Sequence, residues 1–458
     1  MLLSSSTYFI FLFAVLVLYW PLSRSRAASL GLLLLANYFF YAKWDIWYLA
    51  LIPVASTIDF CIGIGLQDSR SRSLRRCLVG ASVVMNIGLL LTLRYASVWQ
   101  REIHSAWHWS LPLSLSFYAF QALTYTIDVY RGDAKGTSSY LAHLTAVSFF
   151  PTTLAGPITR VSSLIKQLEQ RKPLLETEGS RALFLIATGL IKKFLIADYL
   201  ASNLVNRVFD FPNLYTGAEV LLAVYAYAVQ IYCDFSGYTD IAVGSALLLG
   251  IQLPVNFNRP YAAENIADFW RRWHISLSNW LRDYLYFSLP GKRGKVMPYV
   301  NLVITMVLGG LWHGASWSFA VWGALHGIGL AAARLWQSQQ GRAVATSTFS
   351  RYLRIVLTFH FVAFAWIFFR APDLNSAWAV ITRIASLSAS FANISAPLLL
   401  VLTIGLLAHY VPKVWHETSM EYFAKAPFYA QAVVLLLLVL GLQSVISSGT
   451  TPFIYTKF

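Results

Sequence analysis

Long apolar stretches alternate with short polar ones along almost the whole chain. The first runs up to the charges at Arg24 and Arg26, and others follow at 27–41, 46–66, 78–93 and 111–129. Further ones lie near 138–150, 180–200, 215–233, 239–251, 296–311, 316–334, 352–369, 376–388, 396–411 and 428–446. At about 20 residues per span, the pattern predicts roughly ten to thirteen helical membrane elements, some too short to cross. The expected fold class is therefore all-α: a polytopic integral membrane protein, with 1–458 as one multi-helix membrane domain.

The charges between these runs give an expected orientation. No Lys or Arg precedes the first apolar run, so a cleavable signal peptide is not expected and the N-terminus is placed outside. Arg24 and Arg26 then lie in the cytoplasm. Two more apolar runs bring the chain back there at Arg70, Arg72, Arg75 and Arg76, and two further runs return it at Arg131 and Lys135. Basic residues favour the cytoplasmic side, although Lys43, Arg94 and Arg101 fall on the other side in this scheme.

Two regions interrupt the pattern. FPTTLAGPITR (150–160) sets Pro151 and Pro157 around Gly156, which predicts a re-entrant or irregular loop enclosed by protein or by a water-filled cavity. The second is 234–295. Within 265–289, Ile266, Phe269, Trp270, Trp273, Leu277, Trp280, Leu281 and Tyr284 recur at steps of three and four, as on one face of a helix. Arg271, His274, Ser278 and Arg282 take the opposite face. A tryptophan-rich stripe backed by a basic one predicts an amphipathic helix over 264–290 lying in the membrane interface. A plain anchor for lipid headgroups is the simplest role for most of its charges.

Composition sharpens the class. Hydrophobic residues make up 57% of the 458 and charged ones 12%, too few to coat a water-soluble exterior. The 16 Trp and 25 Tyr suit membrane–water interfaces. A net charge of +15 would suggest nucleic acid in a soluble protein. Here it fits cytoplasmic loops against anionic lipid, so no nucleic-acid partner is expected. Three scattered cysteines form no metal-ligand spacing, and no metal is expected.

Ionisable side chains inside apolar segments are costly and mark function. His313, in LVITMVLGGLWHGASWSFAVWGALHG, is the clearest of them, and imidazole is the side chain best suited to proton transfer near neutral pH. His326 follows 13 residues on. On one continuous helix that is about 1300°, or roughly 220° after whole turns, so the two would point apart unless the glycines break the helix. No GxSxG elbow, Walker A loop or GxGxxG occurs. The residues alone leave acyl transfer, proton-coupled transport or haem binding open.

Three longer runs narrow this: CDFSGYTDIAVGSALLLGIQLPVNFNRPY (233–261), FWRRWHISLSNWLRDYLY (269–286) and GLWHGASWSFAVWGALHG (310–327). With FFPTTLAGPITR and GLIKKFLIADYL (189–200), they resemble the membrane-bound O-acyltransferase family, in its bacterial alginate O-acetylase-like branch. The matching stretches span 149–327. The resemblance implies a helical core with a central tunnel, and His313 as general base on the acceptor hydroxyl. It implies His274 as its polar partner. Asn256, Asn258, Arg271, Arg282, Asp283, Trp312 and His326 are candidate substrate- or donor-binding residues, with the roles of Arg282, Asp283 and His326 left open. Lys192 and Lys193 are expected either to hold donor phosphates or to snorkel to the interface.

The terminal FIYTKF (453–458) is similar to the FxYxxF ending of bacterial envelope-acylation proteins and makes Tyr455 a candidate covalent acyl relay, or else an interfacial anchor. No tightly bound cofactor is implied. The donor would be acetyl-CoA or an acyl-carrier thioester, the latter bringing an acyl carrier protein as partner. The acceptor would be an extracytoplasmic polysaccharide, reached through a periplasmic or extracellular acetyltransferase. The setting would be the bacterial cytoplasmic (inner) membrane. D-alanyl transfer to teichoic acid, and a transporter or flippase of acylated species, are the alternatives.

Overall fold

The computed structural model describes residues 1–43, 46–94, 114–153, 156–170, 173–291, 294–339 and 347–446. Most of these residues are helical, with no strand among them. Among the described residues four helices are long and apolar enough to cross a membrane: Tyr48–Asp68, Arg72–Thr92, Gly217–Leu248 and Thr348–Arg370. Ala396–Tyr410 and Lys413–Lys425, bent by 96°, form a fifth candidate as a pair. The protein is a multi-pass membrane protein. Among the described residues helices of that length are fewer than the apolar runs, because several runs fold into shorter helices, Ser6–Leu22 and Phe428–Gln443 among them.

Two compact units share the chain. The first comprises Met1–Ile186 and Tyr238–Pro254, the second Ala187–Gly237 and Val255–Phe458. The first unit is stitched by buried polar side chains. The Asn37 amide donates to the Thr145 carbonyl and to Ser148 Oγ, both at 3.1 Å, and accepts the Phe150 N–H at 2.9 Å. Asp59 accepts from Ser82 Oγ at 2.6 Å and from the Asn86 amide at 3.0 Å, and Ser82 meets Thr126 Oγ1 at 2.9 Å. Inside an apolar bundle such bonds are the condition for burying these groups at all.

The proline-rich run behaves as its composition predicts. Phe150–Thr153 makes one helical turn, and residues 156–159 are irregular yet buried. Gly156 packs on the Pro151 carbonyl, leaving no room for a Cβ. Thr124 Oγ1 accepts the Val161 N–H at 3.1 Å, so the chain leaves the loop with its backbone satisfied.

The second unit differs from expectation over 264–290, where one continuous amphipathic helix was predicted. The segment is broken into Ile266–Trp270, Ile275–Trp280, a π-helical turn Leu281–Leu285 and a 3-10 turn Tyr286–Ser288. The break comes from pairing with the extended strand-like run before it. Asn258 N–H donates to the Arg272 carbonyl, and Ile275 N–H to the Asn256 carbonyl, each at 2.9 Å. Between these two bonds His274 adopts a left-handed conformation (φ 41°, ψ 55°), which is uncommon for a non-glycine residue and held only by its surroundings.

A second pair of helices, Met297–His313 and Trp317–Gln339, folds back into a tight hairpin. Gly310 lies on the Phe319 carbonyl and Gly323 on the Met306 carbonyl, while a Cβ at Gly327 would stand 2.6 Å from Val303 Cα. The two backbones therefore touch along the hairpin, and these positions admit no side chain.

Candidate active site

His313 is the last residue of the first hairpin helix and is 4% exposed. The carbonyl end of a helix favours positive charge on a side chain placed there. The imidazole is enclosed by rings: Phe369 at 4.9 Å and Trp322 at 5.4 Å, both edge-on, with Trp312 at 4.6 Å and Phe319 at 6.2 Å. Trp322 belongs to the returning helix. The helix does break after His313, so the rotation expected for one straight helix does not apply.

His326 consequently shares a wall with His313. Its ring lies 4.9 Å from Trp322, on which His313 also packs. The Trp270 indole N–H donates to His326 Nδ1 at 3.2 Å. Indole can only donate, so Nδ1 is an acceptor and the neutral ring carries its proton on Nε2. That N–H is buried and has no hydrogen-bond partner among the described residues. His326 is thus a hydrogen-bond donor by construction.

His274 is 1% exposed, far from the solvated basic face that its periodicity suggested. Phe235 meets its ring edge-on at 4.7 Å, and Phe257 lies parallel at 6.5 Å. Burial pushes its imidazole down to about 3 from the ordinary 6.5. From Phe257 a run of aromatic contacts leads through Trp273 (5.2 Å) and Trp366 (5.1 Å) to Trp322 (5.8 Å), the residue that flanks His313 and His326. All three histidines therefore border one aromatic cluster.

The other expected residues fall in different surroundings. Asn256 is buried and accepts both the N–H and the hydroxyl of Ser276, at 3.2 and 2.9 Å, which fixes the turn at His274. Asn258 is exposed and joins that turn through its backbone. Arg271 and Arg282 are exposed, line a cavity of about 580 Å³ with Trp270 and Arg334, and pair with Asp268 (3.6 Å) and Asp283 (2.8 Å). Lys192 lies over the Tyr232 ring at 5.9 Å, whereas Lys193 is buried between Asp198 and Asp234. Tyr455 lies outside the described residues.

Residues 81–376 match the profile of the membrane-bound O-acyltransferase family. The chain is 41% identical to a probable alginate O-acetylase of Azotobacter vinelandii over 82% of its length and 76% of the relative's. The chain belongs to the membrane-bound O-acyltransferase family. A peptidoglycan O-acetyltransferase of Helicobacter pylori is 33% identical over 78% of this chain and 73% of its own. A teichoic acid D-alanyltransferase of Bacillus subtilis is 28% identical over 57% of this chain and 69% of its own.

As a membrane-bound O-acyltransferase the protein is an enzyme, which removes the transporter and haem readings. The aromatic cluster is what sequence reasoning missed. Trp273, Trp322, Trp366 and Phe369 read as ordinary interfacial aromatics by composition, and only folding brings them around the histidines. His409 also escaped notice. It accepts the Tyr261 N–H at 2.9 Å, and Tyr261 in turn accepts from the Trp366 indole at 3.2 Å. A signal was present in AHYVP, a histidine closing an apolar run.

Proposed function

We propose that this O-acyltransferase moves an acetyl group from a cytosolic thioester, acetyl-CoA or an acyl-carrier thioester, for O-acetylation of an extracytoplasmic polysaccharide. The observation carrying the reading is His313 at a helix terminus inside a cage of rings. It offers a base held among rings and away from bulk solvent, a setting suited to transfer of an activated acyl group without loss to water. Two relatives named as O-acetylating enzymes, each matched over more than three quarters of this chain, support acetyl as the group. The D-alanyl alternative rests on lower identity over a shorter stretch.

In the proposed reaction His313 takes the proton of the acceptor hydroxyl as its oxygen attacks the thioester carbonyl. The C–S bond breaks, and the departing sulfur receives the proton back from His313. His274 orients the reacting groups. Where the acceptor is the Tyr455 phenol, the product is a phenyl ester, and a sugar hydroxyl takes the acetyl group in a second exchange that restores the phenol. A periplasmic or extracellular acetyltransferase would perform that exchange. Arg271 and Arg282 at the mouth of their cavity are the candidate ligands for donor phosphates, with Asp283 orienting Arg282. Trp312, Asn258 and His326 complete the candidate substrate environment. The charge pattern supports the bacterial cytoplasmic membrane with the N-terminus outside.

The test is the ester content of envelope polysaccharide in cells carrying His313→Ala, with membrane levels of the protein followed in parallel. Loss of esters at unchanged protein level is expected. Normal ester content would sink the reading.

A further inference from the structure

Two motifs of the sequence, GLIKKFLIADYL and CDFSGYTD, have no part in the reaction as described, and the fold brings them together. Lys193 Nζ lies 2.8 Å from Asp198 Oδ1 and 2.7 Å from Asp234 Oδ1. All three side chains are buried. Lys193 and Asp198 lie on a π-helical stretch, Ile191–Asp198, and Asp234 on the long helix Gly217–Leu248. π-helical turns are rare and occur frequently at functional sites.

The same pair of helices is locked at the neighbouring turns. At Gly237 the helices come so close that a Cβ would stand 2.7 Å from the Gly189 carbonyl and 3.3 Å from Lys193 N. Lys192 reaches the Tyr232 ring on the other side of Asp234. Both lysines of the pair thus engage one helix. That helix carries Phe235, next to Asp234, whose ring meets His274 at 4.7 Å and Phe257 at 5.1 Å. A rotation of the helix about its axis would carry Phe235 off the histidine.

We propose that Lys193 is a positioning residue. Its ion pairs with Asp198 and Asp234 fix the rotation of the Gly217–Leu248 helix and so hold Phe235 against His274, instead of binding donor phosphate. A buried pair is suited to this because it is satisfied at one geometry only, and because removing one partner strands the other's charge. The inference rests on His274 belonging to the catalytic machinery.

The experiment uses the full chain in nanodiscs with acetyl-CoA as donor probe and a soluble oligosaccharide as acetyl acceptor, following thiol release for the wild type, His274→Ala, Lys193→Met, the charge swap Lys193→Asp/Asp234→Lys, and Phe235→Leu. Lys193→Met is expected to lower kcat at least tenfold with the donor KM within twofold of wild type. The charge swap is expected to recover part of that loss. Phe235→Leu, which leaves the ion pairs intact, should reproduce the kcat loss and keeps the test decisive if Lys193→Met fails to fold. A raised donor KM at unchanged kcat in Lys193→Met would make Lys193 a donor ligand and overturn the proposal. So would wild-type kcat in Phe235→Leu. Wild-type turnover in His274→Ala would instead remove the reading on which the inference stands.

Discussion

Asp59 and His313 are both ionisable side chains inside apolar helical units, and their surroundings are opposite in kind. Asp59 is met by a hydroxyl and an amide at 2.6 and 3.0 Å, and a second hydroxyl stands behind the first. His313 is met by the faces and edges of Trp312, Trp322, Phe319 and Phe369. Hydrogen bonds to a buried carboxylate hold helices together and leave it little else to do. Rings enclose an imidazole by packing and dispersion instead of tying it into a network between helices. Burial of a charged residue type is therefore a poor indicator of function until the chemistry of its neighbours is added.

That contrast yields measurements of decreasing size. Replacing His274 by Ala removes the partner histidine from the aromatic side, and kcat should fall about 100-fold, within the range for general acid–base groups. Circular dichroism in detergent should be unchanged. In the first unit Asp59→Ala should have the reverse signature. It removes one acceptor that Ser82 and Asn86 share, at a cost of about 1–3 kcal/mol, read as a lower thermal midpoint, while kcat of the folded fraction stays at wild type. A large kcat loss in Asp59→Ala would break the comparison.

The smallest effect is one of pH. The folded site keeps His274 neutral down to about 3, whereas the unfolded chain binds a proton near the ordinary 6.5. Its contribution to stability is therefore complete above 6.5 and is lost as pH falls from there towards 3. Between pH 6 and 5 the slope of stability with pH should be shallower in His274→Gln by up to about 1.4 kcal/mol per unit. An identical slope in the variant would place His274 in a more hydrated setting than the one described.

How far the sequence could be read depended on whether a residue's role was set locally. The helical, membrane-embedded class follows from the spacing of apolar runs, and the buried irregular loop from two prolines about a glycine. His313 stood out because its neighbours on both sides are apolar. His274 did not, since a helical wheel assumes a helix, and that helix is interrupted by backbone bonds to Asn256 and Asn258 in a different segment. Lys193 was equally opaque. Its partner Asp234 sits in another motif, and side by side with Lys192 it resembles a solvated pair. The placing of His326 turned on the exception the glycines allowed, because the helix ends at His313 and thirteen residues of rotation mean nothing across a reversal of the chain.

The hairpin that carries His313 has a consequence for how such proteins are recognised. In GLWHGASWSFAVWGALHG the glycines at 310, 323 and 327 are required by backbone touching backbone, and would be required whatever chemistry took place nearby. A match to this run therefore certifies a shape more securely than a reaction. A chain that kept those glycines and replaced the histidine would still resemble its kin and still fold back on itself, with the proposed base gone and only one letter to show it.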